Sequence, residues 1–252
     1  MYYCHNITKN GHRCGRIASY RIGCKLLCWQ HAKTVGMFVK KGDRCNAKLL
    51  EKLYAIRKPF IGLGVAGKVS GISGSLSVSS IHKIFNVMYE PNCSFIDIGA
   101  ADGYMLLMAT LYGYHKCIGV EYQDGLALQQ IFDTLWKTLK SSTGFLSHSW
   151  SRSKPDLLYG STINDLNMNL YQSSNMHLFS FWDGFSEKDS LRLLNHLQTH
   201  RVKKVCLVSR KSRKFGTFDK LQKFFSVSIT EIASFPVRYG KEEYNSIIFT
   251  FS

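Results

Sequence analysis

The sequence predicts an α/β fold: a mostly parallel sheet with helices, closed by an antiparallel hairpin, and preceded by a small cysteine-rich element. Three observations predict it. The apolar runs Cys93–Ile98 and Cys117–Val120 are each followed by turn residues and then by a helical apolar pattern, the alternation expected of βαβ units. The first run contains Asp97 and leads into the glycine-punctuated turn Gly99-Ala-Ala-Asp-Gly103, as in sheets that bind nucleotides. The chain closes on two β-patterned runs, Val227–Phe235 and Tyr244–Phe251, on either side of Gly240.

Each element follows in order. Ile81–Met88 reads as a short helix leading into the first strand, and Met105, Leu106, Met108 and Leu111 mark the helix after the glycine turn. The second strand ends in Glu121, and Leu126–Leu139 has helical apolar spacing. Asp156–Tyr159 reads as a third strand with Gly160 and Ser161 at its end, and Met176–Phe181 as a fourth. Trp182-Asp183-Gly184-Phe185 then lies at the C-terminal end of a strand, where open α/β sheets place their chemistry. Ser186 is the expected cap of a helix over 187–199, with Glu187 and Asp189 in its first turn. Lys204–Ser209 is a fifth strand, followed by a basic cluster (Arg210, Lys211, Arg213, Lys214) and a helix over 218–225.

The spacing Asp97-x-Gly99-x-x-x-Gly103 resembles the S-adenosylmethionine loop of class I methyltransferases, and it lacks the third glycine of a dinucleotide fingerprint. Glu121 stands where a carboxylate accepts hydrogen bonds from both ribose hydroxyls. The expected cofactor-binding residues are Ser75, Asp97, Gly99, Ala100, Asp102, Gly103, Glu121, Ser161 and Phe181. The Gly/Ser-rich stretch 61–80 reads either as a flexible linker or as a loop folding over the cofactor.

The N-terminal region divides into residues 1–33 and a basic helical linker, 34–60, ahead of a catalytic domain over 61–252. The spacing Cys4-x9-Cys14-x13-Cys28-x2-His31 supplies three thiolates and an imidazole, a tetrahedral set for structural Zn²⁺, with Cys24 and His5 as alternative ligands. Thr8-Lys-Asn-Gly-His-Arg-Cys14 and Cys28-Trp-Gln-His31 resemble a small zinc knuckle. So short a segment buries too little apolar surface to fold alone.

Of the 252 residues, the first 68 carry a net +12 of the chain's formal +16. So uneven a distribution points to a polyanionic partner, most simply nucleic acid. Arg13, Arg16, Arg21, Lys25, Lys40, Lys41, Arg57 and Lys58 are the expected contacts. Nothing approaches the ~18 apolar residues of a membrane span. Nothing resembles a signal peptide. The expectation is an intracellular monomer with reduced or metal-bound cysteines, without membrane association. Its place would be the nucleus or, for a chain of viral origin, a viral factory or virion.

Taken in order, several motifs resemble the DOT (disruptor of telomeric silencing) family of non-SET histone lysine methyltransferases. They are Gly71-Ile-Ser-Gly-Ser75, Phe95-Ile-Asp-Ile-Gly-Ala-Ala-Asp-Gly103, Gly119-Val-Glu121, Phe179-Ser-Phe-Trp-Asp-Gly-Phe185, Val208-Ser-Arg-Lys211, Arg238-Tyr-Gly-Lys241 and Tyr244-Asn-Ser-Ile-Ile-Phe-Thr-Phe251. The chain departs from the family at Phe181-Trp182-Asp183, where asparagine-rich sequence is usual, and at Ser161, where an acid is usual. The resemblance implies S-adenosylmethionine-dependent methylation of a histone lysine in nucleosomes. Trp182, Phe185 and Tyr244, with Phe181, are then the expected walls of a lysine channel, and Asp183 either orients the amine or caps the following helix. Two other readings stand beside it. Ribose 2′-O-methyltransferases have a similar loop and use a Lys–Asp–Lys–Glu tetrad, and Lys68, Asp183, Lys211 and Glu243 occur in that order. The third reading is a nucleic-acid-binding module with a degenerate cofactor fold.

Overall fold

The computed structural model describes residues 20–22, 25–27, 52–58, 76–122, 126–141, 153–161, 175–200, 202–239 and 241–251. The chain divides into two compact units, residues 1–55 with 138–150, and residues 56–137 with 151–252. In the first, Tyr20–Ile22 (β1) and Lys25–Leu27 (β2) pair as an antiparallel hairpin, with Ile22 opposite Lys25.

The second unit is built on a seven-stranded sheet. Its strands are Ser94–Ile98 (β3), Lys116–Glu121 (β4), Asp156–Tyr159 (β5), Met176–Phe181 (β6), Lys204–Ser209 (β7), Ile229–Tyr239 (β8) and Glu242–Phe251 (β9). Their order is β5-β4-β3-β6-β7-β9-β8. The first five are parallel, β9 is antiparallel to β7, and β8 pairs antiparallel with β9 at the edge. This is the predicted α/β sheet with its closing hairpin. β3 is buried along its whole length and β4, β6 and β7 along most of theirs, which is why they read as apolar runs rather than alternating ones.

Besides the helical residues 52–57, the described helices are Val78–Met88 (α1), Tyr104–Tyr112 (α2), Leu126–Ser141 (α3), Glu187–His200 (α4) and Phe218–Phe224 (α5). α4 buries Ser190, Leu193, Leu194 and Leu197, one stripe at helical spacing, and the Ser186 hydroxyl accepts the Asp189 N–H at 3.1 Å as its cap. α1 starts three residues earlier than its apolar pattern indicates, because Ser77 caps it by accepting the Ser80 N–H. No described helix is long and apolar enough to cross a membrane.

β8 runs four residues past its predicted end. Arg238 and Pro236 resemble turn residues, but β8 is the edge strand, where a proline costs no ladder hydrogen bond on its open side. That extension brings Tyr239 against Phe181. The Ser77 N–H donates to the Arg238 carbonyl at 2.9 Å, so the segment ahead of α1 is tied to the end of β8.

The chain runs from β3 outward to β4 and β5, then returns to the other side of β3 for β6 and β7. The strand order therefore reverses between β3 and β6. A crevice opens beyond the C-terminal ends of strands at such a switch point.

Candidate active site

That crevice holds a cleft lined in part by Asp97, Gly99, Ala101, Asp102, Tyr104 and Phe181. Its cavity volume is about 40 Å³, below the ~300–1,000 Å³ of sites that enclose a whole small molecule, so it has room for part of a ligand. Five predicted cofactor residues lie in the loop between β3 and α2 or at its edge: Asp97, Gly99, Ala100, Asp102 and Gly103. Gly99 turns the chain at φ +82°, and a Cβ there would stand 3.1 Å from the Phe185 ring. Gly103 opens α2 at φ +70°, where a Cβ would collide with Phe132 at 2.5 Å. Both positions therefore require glycine, and the bare backbone of Gly99 forms the cleft wall. The N–H groups of Gly99 and Ala100 both donate to the Val120 carbonyl, at 2.8 and 3.0 Å, which fixes the loop to β4.

Glu121 ends β4 and reaches across to the same loop, where its Oε2 accepts the Ala101 N–H at 2.7 Å. That bond holds Ala101 at φ +46°, a conformation unusual for a residue with a Cβ. Ser161 follows β5, and its N–H donates to the Glu121 carbonyl at 3.1 Å. The ends of β4 and β5 thus meet beside the loop that carries Gly99 and Ala101.

Asp97 is 2% exposed, and its Oδ1 has no hydrogen-bond partner. Desolvation, reinforced by the charges of Glu121 and Asp102, pushes its carboxyl well above the usual range. Tyr104 also lines the cleft with an unpartnered buried hydroxyl. Buried polar atoms in native proteins are nearly always bonded, so two orphans in one cleft mark a place for a polar ligand.

One lining residue, Phe181, leads away from the cleft into an aromatic cluster. Phe181 packs on Tyr239, ring centroids 5.4 Å apart, and on Tyr244, 5.0 Å apart, while Tyr239 and Tyr244 meet edge to face at 5.8 Å. Tyr244 is buried and donates its hydroxyl proton to Glu242 at 2.7 Å. Burial and that bond push its phenol up to about 12. The Arg210 guanidinium lies 5.3 Å from the Tyr244 ring centroid and bonds Glu242 at 2.7 Å. Sequence reasoning missed Tyr239; its one signal was the motif Arg238-Tyr-Gly-Lys241, where it had no assigned role.

Four expectations need correction. Trp182 does not line the cleft. It is 3% exposed, belongs to the hydrophobic core and stacks on Phe215. Asp183 neither faces an incoming amine nor caps α4. Its Oδ1 accepts the Arg210 N–H at 2.8 Å, and Oδ2 lies 3.2 Å from the Arg210 guanidinium. Arg57 is no phosphate contact. It is 4% exposed, paired through two nitrogens to the Asp102 carboxylate, and stacked 4.0 Å above the Tyr104 ring. Phe185 sits against Gly99, beside the loop rather than in the aromatic trio. Lys58 is exposed.

The Lys–Asp–Lys–Glu arrangement is not assembled among the described residues. Asp183 is held by Arg210, Lys211 is exposed, and Glu243 lies on the opposite face of β9 from Tyr244. Lys68 and Ser75 fall outside the described residues, as do Arg13, Arg16, Lys40, Lys41 and the metal-ligand candidates Cys4, Cys14, Cys28 and His31 with the alternatives His5 and Cys24. Arg21 and Lys25 are described by backbone alone, in the β1–β2 hairpin. Among the described residues, Glu90, Cys93 and His177 come within 4.8 Å of one another at the other end of the sheet. There Glu90 is already ion-paired to Lys203 and Lys204, whose charges oppose a second cation.

No protein-family model matches the chain, and no curated protein matches it. Solved structures do. Magnesium protoporphyrin IX methyltransferase (ChlM) from Synechocystis PCC 6803 with bound SAM is 10% identical, and the match covers 79% of this chain and 97% of that one with a TM-score of 0.51. TrmN from Thermus thermophilus is 10% identical over 73% of this chain and 51% of its own, with a TM-score of 0.50. The fold is that of the class I S-adenosylmethionine methyltransferases. Identities this low speak for the class I fold alone. In that fold the cleft described above occupies the crevice at the strand-order reversal, with Glu121 at its second strand.

Proposed function

We propose that this chain is an S-adenosylmethionine-dependent methyltransferase whose acceptor is a lysine amine of nucleosomal histones, with the basic N-terminal region binding nucleosomal DNA. The observation that carries the donor reading is Asp97. A buried carboxyl oxygen without a partner, under a glycine-walled loop and facing a cleft, suits the ammonium of the donor's amino-acid group. Glu121, fixed by the Ala101 N–H, suits the ribose hydroxyls. The donor supplies a methyl group on a positively charged sulfur, already a good electrophile.

The protein's remaining task is to bring a neutral nucleophile in line and keep water out. Phe181, Tyr239 and Tyr244 suit that task. Their apolar surface disfavours the charged form of an entering lysine, whose ordinary pKa is about 10.4, and their faces attract sulfonium and methylammonium cations. An acceptor that loses its proton to desolvation needs no dedicated base, consistent with the engagement of Asp183 by Arg210. The order of motifs shared with the DOT family supports the histone reading. The Cys4, Cys14, Cys28 and His31 set is proposed to hold one structural Zn²⁺ ahead of this domain.

A tritium-transfer assay with nucleosomes, free histones and RNA, each offered labelled donor, tests the proposal. Label on a histone lysine supports it. Label on RNA alone replaces the acceptor with a nucleotide and keeps the donor site. Absence of donor binding by calorimetry removes the enzyme reading altogether.

A further inference from the structure

The basic cluster that follows β7 has no part in the donor cleft. With α5 it forms a compact unit: residues 210–223 carry Arg210, Lys211, Arg213, Lys214, Lys220 and Lys223 against a single acid, Asp219. The unit starts at the C-terminal end of the parallel strands, the end that bears the cleft. Its loop is a built structure. The Arg213 N–H donates to the Arg210 carbonyl and the Gly216 N–H to the Arg213 carbonyl, each at 3.1 Å, and the Asn245 side chain donates to the Gly216 carbonyl at 3.3 Å. A Cβ at Gly216 would stand 2.1 Å from the Arg210 carbonyl oxygen, so only glycine lets the turn close.

Acids from neighbouring elements neutralise part of this charge. Asp183 and Glu242 take Arg210, and Glu187 takes Lys214. The other four cations form no ion pair among the described residues. The Arg213 Nη2 donates to the Phe185 carbonyl at 2.6 Å, and the Lys220 ammonium donates to the Arg213 carbonyl at 3.0 Å. Those acceptors are neutral, so they fix the two heads without balancing their charges. Lys211 and Lys223 are exposed. Lys220 reaches back to the loop from α5, and Lys223, three residues on, shares its face, so the cations of helix and loop stand together.

Like charges held this close repel one another, and a polyanion relieves the repulsion. What is left free selects its chemistry. The Arg210 fork, which could clasp a carboxylate, is occupied by Asp183 and Glu242. Three of the four remaining heads are lysines, point charges that suit phosphates spaced along a backbone. The unit offers no ring on which an unstacked base could lie, because Phe215 is buried and Phe218 and Phe224 pack on the core. We infer that the loop 210–214 and α5 form a docking surface for the phosphate backbone of duplex DNA. It adjoins the cleft through Phe185, whose carbonyl holds Arg213 and whose ring lies against Gly99. The surface is distinct from the basic N-terminal region, and its binding depends neither on the donor nor on which group accepts the methyl.

The test is fluorescence anisotropy of a labelled mixed-sequence DNA duplex with the full chain over a salt series, without methyl donor, for the wild type and Lys211→Gln/Lys223→Gln. Both side chains are exposed, so the double variant should keep the wild-type thermal transition. Its slope of log K against log salt should flatten by up to about 0.9 for each lysine removed. Lys211→Arg/Lys223→Arg should restore the slope, and Asp219→Asn, which adds net positive charge to the same surface, should tighten binding. An unchanged slope in the glutamine variant, a loss that arginine does not restore, or a wild-type chain that does not bind the duplex overturns the inference. Tighter binding of a single-stranded oligonucleotide overturns it in favour of unstacked bases, and readier displacement of the label by polyglutamate than by unlabelled duplex overturns it in favour of an acidic peptide. Because no donor is present, failure here leaves the methyltransferase reading standing, and a failure of label transfer leaves this surface standing.

Discussion

Two buried aspartates stand at or just past the ends of adjacent parallel strands; each has one oxygen without a hydrogen bond, and what surrounds that oxygen differs. Asp183, just past β6, gives one oxygen to the Arg210 N–H and sets the other against the Arg210 guanidinium. Asp97, in β3, is as deeply buried and has one oxygen that bonds nothing, with its carboxyl pushed up by desolvation and by two neighbouring acids. Burial alone therefore does not identify a ligand-binding acid. A buried carboxylate with a partner is part of the scaffold; one without a partner, facing a cleft, is kept at a cost in stability that a ligand can repay.

The strongest way to break this comparison is to neutralise each acid in turn. Asp97→Asn keeps the shape and removes the desolvated charge. The ligand-free protein should melt at a higher temperature at neutral pH, while binding of S-adenosylmethionine weakens by about 2–3 kcal/mol, the upper range for charged hydrogen bonds. Calorimetry and a thermal melt read the two effects. Asp183→Ala should do the reverse. It strands the Arg210 N–H, costing about 1–3 kcal/mol of stability, toward the lower end because the guanidinium is half exposed and reaches water. Donor affinity should change little. Equal effects of the two substitutions on both measurements would show that the acids do the same job.

Most of the scaffold was legible in the sequence because its signals are local. A strand buried on both faces is a short apolar run, a positive-φ turn needs Gly99 and Gly103, and an acid ends β4. The errors share one cause: a side chain's partner is set by tertiary packing. As a basic residue Arg57, whose partner lies 45 residues away, reads like Lys52 and Lys58, which are exposed. Trp182 and Asp183 follow β6 in the place where chemistry is expected, yet they turn toward Phe215 and Arg210, elements that come later in the chain. Tyr239 enters the aromatic trio only because β8 continues through Pro236 as an edge strand.

A pH series sharpens the comparison by a smaller effect. In the ligand-free protein Asp97 favours its protonated form. Its contribution to stability is therefore full below the ordinary aspartate value of about 3.9 and is lost as pH rises through the raised folded value. A donor ammonium favours the ionised carboxylate, so binding releases a proton over that interval. Donor affinity should climb with pH there, by at most one log unit per pH unit, and level off above it. Calorimetry in two buffers of different ionisation enthalpy measures the released proton, and Asp97→Asn should abolish the release. A wild-type binding enthalpy independent of buffer would place the proton elsewhere.

The smallest effect carries the same distinction over to the basic residues. Arg57 already has a carboxylate and an aromatic face as partners, whereas Arg13, Arg16 and Lys25 are proposed to find theirs in DNA. Removing one lysine or arginine from a phosphate should flatten the dependence of log K on log salt by up to about 0.9, through release of fewer counterions. Neutralising Arg13, Arg16 and Lys25 together should thus lower nucleosome affinity and reduce the slope, while Arg57→Gln leaves both unchanged. Fluorescence anisotropy over a salt series reads the slopes. A slope reduced by Arg57→Gln would mean that the guanidinium leaves Asp102 for phosphate, and an unaltered slope in the triple variant would leave the N-terminal region without its proposed role.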